Sequence, residues 1–163
     1  MRILTENPLL KKKCKLVTID QGRLIARRMV AYLLANNKKN KTNKAIGLAA
    51  NQFGIDAAVA VVLIKQKPLI LINPKIEKFS EIKFLHKEGC LSFPNEVLDV
   101  YRHFWIEVES DNFNNTLFFG NHVDQNSLAD MLESAVVQHE IAHLNGLTFH
   151  DFQWTTSLNP SEW

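Results

Sequence analysis

The sequence predicts a single α+β domain, in which short, mostly antiparallel strands pack around one central helix. Two segments carry apolar residues at helical spacing, and between them lie short apolar runs that are bounded by turn residues. A length of 163 residues fits one hydrophobic core and leaves little room for a second. Hydrophobic residues make up 46% of the chain and charged residues 22%, which excludes a disordered or collagen-like chain. We therefore expect residues 1–163 to form one domain.

The first helix is expected over about residues 21–36, with Asp20 as its N-cap. Apolar residues recur there at four-residue spacing and would share one face, namely Ile25, Met29 and Leu33. The polar residues 36–41 predict that the helix ends in a loop.

The middle of the chain is rich in predicted strands. Residues 57–64 form a small and β-branched run, and a turn at residues 65–68 leads back into a second run at residues 69–72. Residues 105–109 alternate between apolar and polar side chains, and residues 116–119 follow after a turn. The short connections favour antiparallel pairing of these strands.

The second helix is predicted over about residues 127–144, with Gly146 where a helix stop is expected. Its apolar residues and two histidines are predicted to share one face, namely Leu128, Met131, Leu132, Ala135, Val136, His139 and His143. One long buried helix among short strands is the pattern that favours the α+β class.

That helix carries the pattern His-Glu-x-x-His at residues 139–143. Side chains four residues apart lie one above the other on a helix, so His139 and His143 can bind one metal ion. Glu140 is rotated by about 100° and can reach a water at the ion without being a ligand. The alternative interpretation is a pair of core histidines. Burial of two imidazoles and a carboxylate among apolar residues is costly without a polar purpose, which favours the metal site.

A catalytic metal site of this kind needs a third protein ligand, and Cys90 is the candidate. It lies in the segment Glu-Gly-Cys-Leu-Ser at residues 88–92, where Gly89 allows close approach of the backbone. Taken alone, a single buried cysteine is more often a small apolar side chain. Cys14 has no motif around it and is interpreted as structural, and two cysteines give no disulfide framework.

A third segment, at residues 45–52, is dense in small residues and ends in Gln52. Small residues allow another chain segment or an extended peptide to lie against the backbone. The Gln52 amide could polarise a carbonyl group. Taken alone, this segment would be interpreted as a tight packing point.

In this order, the three segments resemble the peptide deformylase family. The family motifs are Gly-hydrophobic-Gly-hydrophobic-Ala-Ala-x-Gln, Glu-Gly-Cys-Leu-Ser and Gln-His-Glu-x-Asp-His-Leu-x-Gly. Residues 46–52, 88–92 and 138–146 match them, with Ala45 in place of the first glycine and Ala142 in place of the aspartate. The resemblance covers about residues 3–151 and is that of a C-terminally short form.

The resemblance implies metal-dependent hydrolysis of the N-formyl group at N-formylmethionyl termini of nascent polypeptides, with release of formate. It implies one divalent ion per chain on Cys90, His139 and His143, and Glu140 as the general base. The developing oxyanion would be stabilised by the Gln52 amide and the backbone N–H of Leu91. The family implies ferrous iron; the ligand types favour zinc, and nickel or cobalt are also possible.

The substrate is expected in a deep apolar pocket beside the metal, where an unbranched methionine side chain fits well. The predicted substrate-binding residues are Ile46, Gly47, Gly89, Leu132, Ala135 and Val136. A Glu88–Arg102 pair is predicted to hold the Cys90 segment in place.

Partners and location follow from composition. The net charge of +2 predicts no stable nucleic-acid binding, and the longest apolar run, residues 57–64, is far shorter than the ~20 residues of a membrane span. We expect a cytoplasmic monomer, in a bacterium or in the host of a virus, that meets ribosome-borne nascent chains transiently. Residues 152–163 contain no Lys or Arg, so stable ribosome attachment through the tail is not expected.

Two rival functions remain open at this point. One is an HExxH peptidase that cuts internal amide bonds, although such peptidases usually use a further His or Glu as ligand. The other is a catalytically impaired deformylase-like module that binds metal or peptide, which the alanine at position 142 keeps possible.

Overall fold

A computed structural model describes residues 1–5, 7–41, 44–121 and 127–153 of the chain. In these segments the α-helices are α1 (Ile19–Lys39) and α2 (Leu128–Leu144). The strands are β1 (Gly47–Ala49), β2 (Val59–Ile64), β3 (Lys67–Ile72), β4 (Lys75–Phe79), β5 (Lys83–Cys90), β6 (Phe93–His103), β7 (Trp105–Glu109) and β8 (Leu117–Gly120). Short 3₁₀ helices cover Pro8–Lys11, Ala50–Phe53 and Phe149–Phe152.

All strand pairs in the described segments are antiparallel, and they form three small sheets with the orders β1-β2-β3, β4-β7-β8 and β5-β6. The first sheet lies between the two helices. On one face Val59 and Val61 pack in a cluster with Met29 of α1. On the other face Val62 packs in a cluster with Ile141 of α2. Because β2 is covered on both faces, its sequence is a continuous run of apolar residues. The predicted α+β class with a central helix is confirmed.

The first helix differs from the prediction at both ends. Its N-cap is Thr18, whose Oγ1 accepts a hydrogen bond from the Gln21 backbone N–H at 3.3 Å, while Gln21 Oε1 accepts from the Thr18 N–H at 3.1 Å. This reciprocal capping box satisfies two backbone donors, so the predicted N-cap at Asp20 is wrong. The helix also continues to Lys39 rather than ending near Asn36.

The hairpin between β2 and β3 has a two-residue turn. Lys65 and Gln66 both have positive φ angles, of 49° and 66°, as two-residue hairpin turns favour. Strand β3 therefore begins at Lys67, before the predicted start at Leu69. Pro68 is tolerated there because β3 is the last strand of its sheet.

The long β5-β6 hairpin was not predicted from the sequence. Apolar and polar residues do not alternate along β5, because Leu85 is exposed and the charged Glu88 is buried, and many residues of β6 are polar and exposed. Its position depends on contacts with α2 that local patterns do not contain. This hairpin forms one wall of the site described below.

Helix α2 occupies its predicted range, and Gly146 follows its C-cap with a φ of 79°. Every residue from Ser134 to Leu144 is buried, because sheets and loops surround the second half of the helix. The predicted single apolar face is wrong for Leu128, which is 65% exposed in the first turn. No helix in the described segments combines the length and the hydropathy that a membrane span requires.

Candidate active site and metal centre

Three potential metal donors converge between β5 and α2. Cys90 Sγ lies 3.3 Å from His143 Nε2, which lies 3.2 Å from His139 Nε2, and all three donors lie within 4.8 Å of one another. Tetrahedral coordination at ordinary Zn–N and Zn–S lengths requires donor separations of about 3.3 to 3.6 Å. The donor set therefore fits one divalent transition-metal ion.

Strand geometry turns Cys90 toward α2. Glu88 and Cys90 are buried and Gly89 between them is exposed, because alternate residues of a strand face the same side. The register of β5 against β6 shifts between Gly89 and Cys90, so that Cys90 pairs with Phe93. This bulge ends the hairpin where the thiol meets the two histidines.

The predicted Glu88–Arg102 pair is present, and it extends to His139. Arg102 Nε donates to Glu88 Oε1 at 2.7 Å and Arg102 Nη2 donates to Glu88 Oε2 at 2.8 Å. His139 Nδ1 lies 2.8 Å from the same Oε2, which leaves Nε2 facing the donor cluster. Burial alone would raise the pKa of Glu88, but the adjacent guanidinium and its hydrogen bonds hold that pKa well below the usual range.

His143 is prepared for the same role by its surroundings. Burial is the main cause that holds the pKa of His143 well below its ordinary value. The neutral imidazole is the form that binds a metal ion. Asn51, which the sequence analysis did not single out, donates from Nδ2 to the backbone carbonyl of His143.

Breaking the buried pair is expected to destabilise the fold. Arg102 is fully buried, and Arg102→Ala would leave the Glu88 carboxylate buried without its guanidinium partner. We expect the free energy of unfolding to fall by about 3–5 kcal/mol, measured by urea denaturation. The matched control is Lys87→Ala, which breaks the exposed Lys87–Asp99 pair of the same hairpin and should cost much less. Equal losses in the two variants would contradict a special role for the buried pair.

Gln52 lies in the 3₁₀ turn Ala50–Phe53 and directs its amide donor at Cys90. Its Oε1 accepts from the Ala49 backbone N–H at 2.9 Å, which orients the side chain. Its Nε2 then lies 3.5 Å from Cys90 Sγ and 3.3 Å from Ser92 Oγ. Leu91 follows Cys90 in the turn between β5 and β6. Both predicted oxyanion donors therefore lie next to the donor cluster.

Glu140 is buried beside strand β1. Burial is the main cause that raises the pKa of its carboxyl group to about 7. A Cβ atom added at Gly47 would overlap this carboxyl group and would lie 2.8 Å from Glu140 Cγ. Only glycine at that position leaves room for the carboxyl group in its observed place.

A cavity of about 380 Å³ opens onto these groups. All six predicted substrate-binding residues line it, namely Ile46, Gly47, Gly89, Leu132, Ala135 and Val136. So do Gln52, Cys90, Leu91, His139 and Glu140, whereas Arg102 and His143 lie outside the lining. Ile46 is 46% exposed, so it lies at the mouth, and the predicted deep position is corrected for this residue.

The cavity wall also contains residues that the sequence analysis missed. They are His86, Lys87, Phe93, Pro94, Glu96 and Val97 of the β5-β6 hairpin, together with Lys44. Strands β5 and β6 were not predicted, so the sequence did not indicate that the hairpin residues share one surface. For the hairpin residues, the sequence feature that links them to the site is their closeness along the chain to Cys90, whereas Lys44 lies close along the chain to Ile46 and Gly47.

The two departures from the family motifs do not remove a donor. Ala142 is buried in an apolar cluster with Cys90, Val100 and Phe149, so it contributes packing next to the thiol. Ala45 is held by Asn37, which donates to its carbonyl at 2.7 Å and accepts from its N–H at 2.9 Å. Cys14 is buried in the core cluster with Ile141, as its structural interpretation requires.

The comparisons with known proteins agree with this geometry. The polypeptide deformylase family profile matches residues 2–156. A peptide deformylase of Synechocystis is 38% identical over 137 residues, which are 81% of this chain and 66% of that protein. This chain thus spans about two thirds of the cyanobacterial relative. A peptide deformylase-like protein of Rickettsia conorii is 35% identical over 155 residues, covering 91% of this chain and 77% of that protein.

Solved structures of similar proteins share the fold. A mutant of Arabidopsis thaliana peptide deformylase 1B superposes with a TM-score of 0.77 at 25% identity, over 94% of this chain and 80% of that one. A probable peptide deformylase from a Synechococcus phage gives a TM-score of 0.72 at 30% identity, over 93% of this chain and 99% of that one. A family match over nearly the whole chain, together with a donor cluster built from two of its motifs, shows that the chain belongs to the polypeptide deformylase family.

Proposed function

We propose that this chain removes the N-formyl group from N-formylmethionyl termini of nascent polypeptides by metal-dependent hydrolysis. The observation that carries the proposal is the convergence of the Cys90, His139 and His143 donors at a cavity that Glu140 and Gln52 also line. Membership of the polypeptide deformylase family supports the same reaction.

The proposed metal ligands are Cys90, His139 and His143, which would hold one divalent ion. Ferrous iron is the proposed native metal, and zinc, nickel or cobalt suit the same donors. When bound, such an ion supplies Lewis acidity, which polarises a carbonyl group and makes water more acidic. Glu88 and Arg102 act on this site by orienting His139 through its Nδ1.

The proton transfers are assigned to Glu140. It takes a proton from the attacking water as the water oxygen adds to the formyl carbon, and it delivers that proton to the leaving amine nitrogen. The Gln52 amide and the Leu91 backbone N–H donate hydrogen bonds to the carbonyl oxygen as negative charge develops there. Breakage of the formyl C–N bond then yields formate and a free amino terminus.

The cavity shape supports binding of a formylated methionine. Leu132, Ala135 and Val136 offer an apolar wall on α2, which an unbranched thioether side chain can cover. Strand β1 pairs with β2 along one edge, and its residue Gly47 lines the cavity. An extended peptide can add its backbone there with little dependence on its sequence.

The direct test is anaerobic release of formate from formyl-Met-Ala-Ser, with cleavage of internal peptide bonds followed in the same sample. We expect formate and the free tripeptide only. Internal cleavage without formate would favour an HExxH peptidase. Metal or peptide binding without any turnover would favour a catalytically impaired module, and either result would refute the proposal.

The amino-terminal side chain is expected to control turnover. Formyl-Met-Ala-Ser should have a kcat/KM at least about 10²-fold above formyl-Asp-Ala-Ser and formyl-Lys-Ala-Ser, because a charged group would lose its hydration against the apolar wall. Steady-state kinetics with formyl-norleucine-Ala-Ser provide the matched control, since this side chain has a similar shape and no charge. Comparable turnover of the charged substrates would place the pocket elsewhere.

Gly47 is expected to be indispensable for the position of Glu140. Gly47→Ala should lower kcat strongly while metal content stays at wild-type level, because the new methyl group would displace a carboxyl group that is not a ligand. Gly89→Ala is the comparison, since its added Cβ would meet its nearest atom, the Glu96 carbonyl oxygen, only at 3.8 Å. A smaller loss in Gly47→Ala than in Gly89→Ala, measured by formate release, would contradict this role.

The proposed setting is the cytoplasm, where N-formylmethionyl peptides arise. We propose a monomer that meets ribosome-borne nascent chains in transient encounters, without stable nucleic-acid binding or a membrane partner. Most of the tail invoked in the sequence analysis, residues 154–163, lies outside the described residues.

A further inference from the structure

The small net charge of the chain hides a strong separation of charge along it. Residues 1–44 contain 12 of the 19 Lys and Arg residues but only 2 of the 17 acidic residues. Their net charge is therefore +10, and that of residues 45–163 is −8. Such asymmetry between parts of a chain is typical of proteins with a polyanionic partner.

Helix α1 collects five of these cations on its outward side. Its buried residues, Gly22, Ala26, Met29 and Leu33, define the side that faces the core. The opposite side carries exposed cations, which we call the basic face of α1: Arg23, Arg27, Arg28, Lys38 and Lys39. A helix of 21 residues is about 30 Å long, so this face spans several phosphates of a nucleic-acid backbone.

Most of this charge is not neutralised by neighbouring acids. Arg23 lies 3.8 Å from Asp20, whose side chain is 96% exposed. The other four cations of the basic face form no ion pair with any residue that the structure describes. Nearby along the chain, Lys12 and Lys15 share the single carboxylate of Asp56. The face therefore offers net positive charge to a partner.

The basic face is linked to the mouth of the cavity but does not line it. Asn37, in the last turns of α1, holds the backbone of Ala45 through two hydrogen bonds. Lys44 and Ala45 belong to the cavity lining, whereas no residue of α1 does. A partner on the basic face would thus lie near the mouth and leave the cavity open.

We propose that the basic face of α1 binds the phosphate backbone of structured RNA, and that ribosomal RNA is its occupant. The choice of ribosomal RNA rests on the proposed function, because the substrate would emerge from a ribosome. RNA is favoured over an anionic membrane because the continuous apolar side of α1, with Met29 and Leu33, is fully buried in the core. The exposed part of α1 carries only Leu24 and Leu34 as large apolar residues, which is too little apolar surface to insert into a bilayer. Binding is expected to be weak and to depend steeply on salt.

The test is fluorescence anisotropy with a labelled RNA duplex of about 20 base pairs, at salt concentrations between about 50 and 200 mM. The variant Arg27→Gln/Arg28→Gln removes two cations and keeps good helix formers. We expect its affinity at 0.1 M salt to be at least about tenfold lower, with a log–log salt slope shallower by about 2. The matched control, Lys75→Gln/Lys78→Gln, removes two cations from β4 and should leave both quantities near wild type.

Three further measurements separate the possible outcomes. In ribosome sedimentation, the fraction of protein that pellets with ribosomes should be lower for Arg27→Gln/Arg28→Gln than for the wild type and the β4 control. The kcat/KM for free formyl-Met-Ala-Ser should be unchanged in all of them. Equal weakening by both double variants would refute the basic face as a site, because only net charge would then matter. Arginine-dependent binding to phosphatidylglycerol vesicles without binding to RNA would also refute it. A wild type that binds RNA but releases no formate would refute the proposed function instead.

Discussion

Replacement of Glu140 by Gln is expected to lower kcat for formyl-Met-Ala-Ser by about 10²- to 10⁴-fold, the usual contribution of a positioned acid or base. The amide keeps the size of the carboxyl group but cannot accept the proton of the attacking water. Glu140 is not among the three converging donors, so the metal content should remain at one ion per chain. Formate release and metal analysis on the same preparation measure both quantities.

The informative feature of this variant is the separation of the two readouts. Loss of metal together with activity would mean that Glu140 acts as a ligand or holds the ligands in place. Wild-type kcat would remove it from the reaction. The neighbouring substitution Glu133→Gln, on an earlier turn of α2 and outside the cavity lining, is the matched control and should change neither readout.

Replacement of Cys90 by Ala is expected to abolish both metal binding and turnover. Two imidazoles would remain, and a methyl group would stand where the structure places a sulfur donor 3.3 Å from His143 Nε2. The metal content should fall well below one ion per chain, and formate release should fall below detection.

Cys14→Ala is the matched control for the loss of a buried thiol. Cys14 belongs to the core cluster and not to the donor cluster, so this variant should keep metal and turnover with a modest loss of stability. A Cys90→Ala protein with full activity would remove Cys90 from the site. Equal loss in both variants would point to folding rather than to coordination.

Local sequence patterns were sufficient to predict the candidate metal ligands on α2 and the residues where this helix begins and ends. The spacing of His139 and His143 is a property of any helix, so their convergence could be predicted without knowing what surrounds them. The end of the helix near Gly146 was predictable for the same reason. The N-cap of α1 was missed although its signal is local. Thr18, which lies two residues before the more conspicuous Asp20, is the N-cap and forms a capping box with Gln21.

Contacts between distant segments decided the rest of the site. The resemblance to the family indicated Cys90 as a ligand and the sequence analysis predicted the Glu88–Arg102 pair, but neither showed the β5-β6 hairpin that presents them. That hairpin has mixed polarity, and its strands are stabilised by pairing with each other and by packing on α2 rather than by their own residue preferences. The cavity wall around Phe93 and Val97 was missed for this reason.

The sequence by itself determined the class of fold, the helix that carries the two candidate histidine ligands and the segregation of positive charge into residues 1–44. Periodicity and charge can be read from the order of residues without knowledge of tertiary contacts. Only the tertiary structure decided that Gly47 packs against the Glu140 carboxyl group, that Glu88 orients His139, and that the basic face of α1 points away from the core. These features depend on which helices and strands pack against one another. That packing is selected by the burial of apolar area over the whole chain, which no local segment of the sequence determines.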